Sequence, residues 1–254
     1  MPNGKYYVEN KYVTVGEPDC VFLHNIQPES IMGINSPTIC FQADRWLPPV
    51  FGTRVVSLSR WVDRNVGGDT IISPPPHADK VIVGDGLTVG FISDYEGNAS
   101  DEVADLFSGI GQAIPEAKFI LPNGPDSFRG RLRVRNEIKH CKHDQILASG
   151  CDIAIFPWTE DECDKVGDTV LRAMHNGCVP LVGYHGASKE VIPDLSFMFK
   201  NAHHAVKLCQ KLAYSAGYLE TQAAKAKRYC DANYSVTSFR KSLLREIASV
   251  VLVE

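Results

Sequence analysis

Short apolar segments that alternate with amphipathic helical ones predict an α/β protein built on parallel sheets covered by helices. A second observation divides it into two parts. The run Ser73-Pro74-Pro75-Pro76 stiffens the backbone, removes amide donors and marks a linker between a short first part, residues 1–78, and a longer second part, residues 79–254. The third is size and composition. A chain of 254 residues with 44% hydrophobic and 22% charged residues can bury a sizeable core and leaves no room for a disordered majority.

In the first part the expected strands are Cys20 to Leu23, Thr38 to Gln42, Arg54 to Leu58 and Thr70 to Ile72, with one short amphipathic helix, Arg60 to Val66. The second part has a cleaner rhythm: strand Thr88 to Ile92, helix Ser100 to Ile114, strand Lys118 to Leu121 and strand Leu132 to Val134. Helix His143 to Ser149, strand Ile153 to Pro157, helix Thr169 to Asn176, strand Val179 to Val182 and strand Ser196 to Phe199 follow. These repeated β-α steps predict a doubly wound sheet. From His203 to Val253 the pattern is helical, broken near Gly217 and around Asn233-Tyr234-Ser235.

Charge and cysteine usage narrow the function classes. The net charge of −4 gives no basic footprint, so nucleic acid is not the default partner. Arg129, Arg131, Arg133 and Arg135 alternate, and on a strand they would share one face; a solvated edge or the rim of an anionic site accounts for them, while contact with nucleic acid stays open. The eight cysteines are spread singly with no Cys-x-x-Cys pair, as expected of buried thiols in a reducing compartment. Met1-Pro2-Asn3-Gly4-Lys5 lacks an apolar leader and no apolar run approaches spanning length, so the expectation is a cytoplasmic protein without a membrane span.

Open α/β sheets hold ligands outside the carboxyl ends of their strands, which directs attention to the loops Ser93 to Ala99, Pro122 to Ser127, Trp158 to Asp168 and Gly183 to Glu190. In the third of these, Gly167-Asp168-Thr169 opens a helix whose first N–H groups can hold a diphosphate or sugar hydroxyls. That helix ends at Asn176-Gly177, a C-cap signal, and a buried strand follows at once.

The stretch Gly167-Asp168-Thr169-Val170-Leu171-Arg172-Ala173-Met174-His175-Asn176-Gly177-Cys178-Val179-Pro180-Leu181-Val182-Gly183, with His185-Gly186-Ala187-Ser188-Lys189-Glu190-Val191-Ile192-Pro193-Asp194 after it, resembles the donor-binding segment of GT-B-fold, family 4 type glycosyltransferases. Val89 to Asp94 resembles the first strand and loop of that family's C-terminal domain, and Phe119 to Pro125 its second strand and turn. Asp19 to Asn25, Pro37 to Trp46, Ser57 to Asp63 and Thr70 to Pro74 resemble the last four strands of its N-terminal domain, the family's earlier strands having no counterpart. The resemblance implies a GT-B-like fold with a shortened N-terminal part on the acceptor side and a C-terminal part that binds a nucleotide sugar.

The resemblance also assigns roles. Ser93, Asp94, Asn123, Gly124, Gly167, Asp168 and Thr169 fall on the donor side, Asp164 and Arg172 at catalytic positions, and His24, Gln42 and Asp44 on the acceptor side. It implies transfer from a nucleoside-diphosphate sugar with retention, needing neither metal nor cofactor, the leaving phosphate taking the acceptor's proton. Several positions depart from the family. Where it carries two glutamates seven residues apart, this chain has Asp164 and Arg172, and an arginine cannot accept hydrogen bonds from ribose hydroxyls but can pair with a phosphate. The loop Ser93-Asp94-Tyr95-Glu96-Gly97-Asn98 lacks the family's diphosphate-clamping Arg and Lys, and its N-domain histidine falls on Ala43.

Plainer explanations cover the other candidates. His140-Cys141-x-His143 lacks a second ligand pair at zinc spacing, Gly84-Asp85-Gly86 precedes its strand instead of following it, and His24 reads as a core-edge histidine with acceptor contact as the alternative. Two alternatives to transfer stay open from the sequence. One is a non-catalytic nucleotide-sugar-binding subunit that works with a partner chain or a second copy; the other is transfer to modified DNA.

Overall fold

The computed structural model describes residues 5–8, 11–14, 21–24, 38–42, 54–58, 70–73, 75–76, 86–92, 101–122, 133–141, 150–156, 167–184 and 187–251. The chain forms two compact units, one of Met1–Pro74 with Val236–Glu254 and one of Pro75–Ser235.

In the first unit, β1 (Lys5–Val8) and β2 (Lys11–Thr14) form an antiparallel pair with Lys5 opposite Thr14. The sequence reading overlooks this pair, although two runs of Tyr and Val around Glu9-Asn10 carry a hairpin signal. Four parallel strands follow in spatial order: β3 (Val21–His24), β4 (Thr38–Gln42), β5 (Arg54–Ser57) and β6 (Thr70–Ile71). The expected helix Arg60 to Val66 lies outside the described residues. The last helix of the chain, α6 (Val236–Val251), belongs to this unit: Phe239 and Ile247 share its apolar stripe and pack against buried Val56 and Ile72. This corrects the 79–254 boundary, because an amphipathic helix goes to the sheet face that buries its stripe, whatever its place in the sequence.

The second unit is a five-stranded parallel sheet in the order β11-β10-β7-β8-β9. Its strands are β7 (Thr88–Phe91), β8 (Lys118–Pro122), β9 (Ile138–Cys141), β10 (Ile153–Ile155) and β11 (Val179–Leu181). The chain builds outward from β7 through β8 and β9, then returns to the other flank of β7 with β10 and β11. Neighbours β7 and β10 therefore lead in opposite directions, and this reversal is where such sheets open a crevice at their carboxyl ends. Their amino ends are pinned: the Thr88 amide donates to Asp152 Oδ2 at 2.7 Å and the Asp152 amide to the Thr88 carbonyl at 3.0 Å.

Burial, only partly offset by the Thr88 amide, raises the Asp152 carboxyl above its usual range, with Glu220 adding in the same direction. A folded-state pKa raised above the unfolded value contributes stability at low pH that is lost as pH climbs through the raised pKa. Asp152→Asn keeps an acceptor for Thr88 and removes the charge. The variant is expected to match or exceed the parent at neutral pH and to lose the acid-side slope, which urea melts across a pH series would measure; an Asn variant less stable at pH 7 would contradict this account.

Helix α1 (Asp101–Ala113) buries Val103, Leu106, Phe107 and Ile110, the i, i+3, i+4, i+7 pattern of one helical face. Phe107 meets Phe91 and Phe119 edge-on, with centroids 5.6 and 5.4 Å away. Gly111 is required by close approach: a Cβ there would come within 2.5 Å of Asn136 Oδ1 and 2.6 Å of Val134 Cγ1. Asn136 closes the helix end, its Nδ2 reaching the carbonyls of Ile114, Pro115 and Ala117 at 2.8–3.1 Å.

Two expected strands are corrected here. Residues 133–136 are irregular, and the ladder begins instead at Ile138, because the Arg133 amide donates to Ser108 Oγ (3.1 Å) and Asn136 is committed to the end of α1. Arg133 and Arg135 are exposed but off any strand. Ser196 to Phe199 is likewise no strand. Asp194 accepts from the Ser196 amide at 2.8 Å and starts a 3-10 turn, Leu195–Phe197, leaving only Met198 to bridge Val182. The remaining helices are α2 (Asp168–His175), α3 (Ser188–Val191), α4 (Ala202–Tyr214) and α5 (Tyr218–Asn233). Gly217 (φ 67°) breaks α4 from α5, as expected from the sequence. Among the described residues, no helix is long and apolar enough to cross a membrane.

Candidate functional site

Helix α2 follows the carboxyl end of β10. Gly167 takes the N-cap position at φ 82°, a left-handed conformation that suits glycine, and is buried. Its α-carbon faces the segment after β11: a Cβ would lie 3.0 and 3.1 Å from the two Val191 methyls and 3.4 Å from the Ala187 carbonyl oxygen. The start of α2 is thereby fixed at the carboxyl ends of β10 and β11. The first i to i−4 bond runs from the Leu171 amide to the Gly167 carbonyl at 3.0 Å, so the amides of Asp168, Thr169 and Val170 have no acceptor within the helix. Gly167 brings no side chain to cap them.

Val170, Leu171, Ala173 and Met174 bury one face of α2. At 100° per residue, Arg172 falls on the face opposite these buried residues and is half-buried. Asp168 is exposed at the first turn, where its negative charge opposes the partial positive charge of the helix end. The Thr169 hydroxyl lies 3.5 Å from Asp168 Oδ1. The structure thus brings Gly167, Asp168, Thr169 and Arg172 to one helix.

Ser93, Asp94, Asn123, Gly124, Asp164 and Asp44 lie outside the described residues. The described chain nevertheless stops just short of several of them, since β7 and Ile92 lead to Ser93, and β8 ends at Pro122 before Asn123. In the first unit, His24 and Gln42 are the last residues of β3 and β4. Gln42 stands in register with Ser57, which ends β5. Ser57 is fully buried and, among the described residues, its hydroxyl has no hydrogen-bond partner, a feature not expected from the sequence. A serine directly after Val55 and Val56 at the carboxyl end of the strand was the available signal.

Tyr184, after β11, is 58% exposed with Lys189 Nζ 4.9 Å from its ring centroid, placing an aromatic face and a cation beside the segment that packs on Gly167. The far end of α2 is held by α5. His175 Nδ1 and Asp231 Oδ1 are 2.8 Å apart, Lys227 Nζ donates to the His175 carbonyl at 2.8 Å, and Cys230 Sγ donates to the Leu171 carbonyl at 3.4 Å. Partial burial works against the Asp231 charge, but hydrogen bonds from His175 and Lys227 outweigh it and hold the carboxyl below its usual range. Burial, with the Asp231 charge beside it, pushes the Cys230 thiol up to about 11. A cation at a helix C-terminus is favoured by the helix dipole. Helix α2 is therefore clamped at its C-terminal end, while at its N-terminal end Gly167 offers no capping side chain.

No protein-family model matches the chain, and no curated protein is significantly similar to it. Solved structures are similar in fold. A glycosyltransferase from Rickettsia africae ESF-5 superposes with a TM-score of 0.68 at 11% identity, covering 93% of this chain and 78% of that one. Anabaena HepE in complex with UDP gives 0.70 at 14% identity, with 92% and 79% covered. The T4 phage enzyme BGT in complex with UDP and Mn2+ gives 0.52 at 10% identity, with 91% and 83% covered. The fold of this chain is that of the GT-B glycosyltransferases, with two Rossmann-like parts.

Proposed function

We propose that the chain is a glycosyltransferase that takes its sugar from a nucleoside-diphosphate donor held at the N-terminal end of α2. The observation that carries this reading is the start of α2: three amides without intrahelical acceptors, a glycine that brings no side chain at the N-cap, and a position at the carboxyl end of β10 beside the point where the sheet reverses. That two solved structures of this fold hold UDP supports it.

In this scheme the diphosphate receives the Asp168, Thr169 and Val170 amides, and the Arg172 guanidinium pairs with it as charge grows on the departing phosphate. Asp168 would repel a phosphate, so its carboxylate is assigned to sugar hydroxyls, and Asp164 is given the same role. Gly167 lets the backbone approach. Ser93, Asp94, Asn123 and Gly124, from the loops after β7 and β8, complete the donor side, and His24, Gln42 and Asp44 meet the acceptor. Retention of configuration, the leaving phosphate as proton acceptor, and transfer without metal or further cofactor belong to the same proposal.

The test is nucleotide release from a panel of nucleoside-diphosphate sugars by the purified chain, with Arg172→Ala beside it. Release is expected, and the substitution should lower it at least about tenfold, the loss of one charge-assisted contact to the transition state. Tight nucleotide binding with no release from any donor would favour a binding subunit that needs a partner chain. Neither binding nor release would end the reading.

A further inference from the structure

The junction between the C-terminal end of α2 and α5 holds three metal-ligating groups that sugar transfer does not use. His175, Cys230 and Asp231 each offer one ligand atom, and these atoms all lie within 4.8 Å of one another. We propose that they form a site for a borderline-soft divalent transition ion, zinc by its donor set, that ties α2 to α5. Imidazole nitrogen, thiolate sulfur and carboxylate oxygen are the three zinc ligand types, and three protein ligands with water in a fourth position make a recognised tetrahedral arrangement. A carboxylate and imidazole alone would suit many ions, whereas the sulfur selects against magnesium and calcium.

Around a tetrahedral ion with bonds of about 2.0–2.3 Å, ligand atoms stand about 3.3–3.8 Å apart, so the His175 and Asp231 atoms, 2.8 Å apart, must separate and exchange their direct hydrogen bond for bonds to the ion, and the Cys230 sulfur must give up its hydrogen bond to the Leu171 carbonyl. An entry path exists, because the His175 and Asp231 side chains are 30% and 45% exposed even though Cys230 is buried. Lys227 is the opposing feature: its ammonium lies 3.3 Å from Asp231 Oδ2. That pair is an exposed i, i+4 ion pair, among the weakest of interactions, and Lys227 has a second acceptor in the His175 carbonyl to which it can remain bonded. On binding, the Cys230 sulfur forms its bond to the ion and releases its proton to solvent, and His175 binds through neutral Nδ1. This site stands apart from the donor end of α2 and does not depend on the transfer reading.

Titration of the purified, metal-free chain with Co2+ tests it. One equivalent should produce a thiolate-to-cobalt charge-transfer band with tetrahedral ligand-field bands, all displaced by Zn2+, and zinc should raise the melting temperature. Cys230→Ser should abolish the charge-transfer band, and His175→Gln and Asp231→Asn should each weaken cobalt binding by at least about tenfold. The absence of a thiolate band in the parent, its persistence in Cys230→Ser, or unchanged affinity in both other variants would overturn the proposal. Should the buried Cys230→Ser variant fail to fold, the two half-exposed positions decide.

Discussion

Replacing Phe107 with alanine is expected to cost about 3–5 kcal/mol, the range for removing a fully buried aromatic ring from a core. The ring is 0% exposed and is sandwiched edge-on between Phe91 and Phe119, on the two strands that run down the middle of the five-stranded sheet. Its loss removes two aromatic contacts and leaves a cavity lined by rigid β-sheet and helix, which has little room to collapse. A domain stable by about 5–15 kcal/mol would be left marginal. Guanidinium unfolding would register the loss, with Phe107→Leu expected to recover much of it by refilling the volume. A shift below about 1 kcal/mol for the alanine variant would show that this ring does not hold α1 to the sheet.

Gly167→Ala is the second large effect, and it is expected in both stability and binding. The backbone conformation at φ 82° costs an L-residue about 1–2 kcal/mol, and the new methyl would press on Val191 at 3.0 Å, adding strain of about the same size. Val191 cannot easily yield, being buried itself. Relief has to come from displacement of the start of α2, so nucleotide affinity should fall along with stability. Gly177→Ala separates the two causes. Gly177 has φ 84°, but a methyl added there would meet nothing within 4 Å, so the variant should show the backbone cost alone and, on the proposed donor reading, bind UDP in calorimetry as the parent does. Equal UDP affinity in both variants would remove α2 from the donor site.

How much of this was legible beforehand differs from element to element. The Thr38 to Gln42 strand and the three C-terminal helices follow from local pattern, because apolar periodicity and the glycine break at Gly217 are written in contiguous residues. The two misplaced strands failed for one reason. Arg133, Asn136 and Asp194 divert backbone or side-chain groups into caps and turns, and nothing in the periodicity of Leu132 to Val134 or Ser196 to Phe199 reveals that. Gly167 was found because a glycine that opens a helix after a buried strand is a local signal. His175 and Asp231 went unpaired because they are 56 positions apart and belong to different helices.

By itself, then, the sequence determined the α/β class, most of the strands and helices, and the helix that Gly167 opens. Tertiary structure alone decided that β10 returns to the flank of β7, that α6 leaves its sequence neighbours to cover Val56 and Ile72, and that α5 clamps α2. The division has a physical origin. Backbone periodicity is fixed by the geometry of each few residues, whereas strand order and helix docking are chosen by which distant apolar surfaces bury one another best.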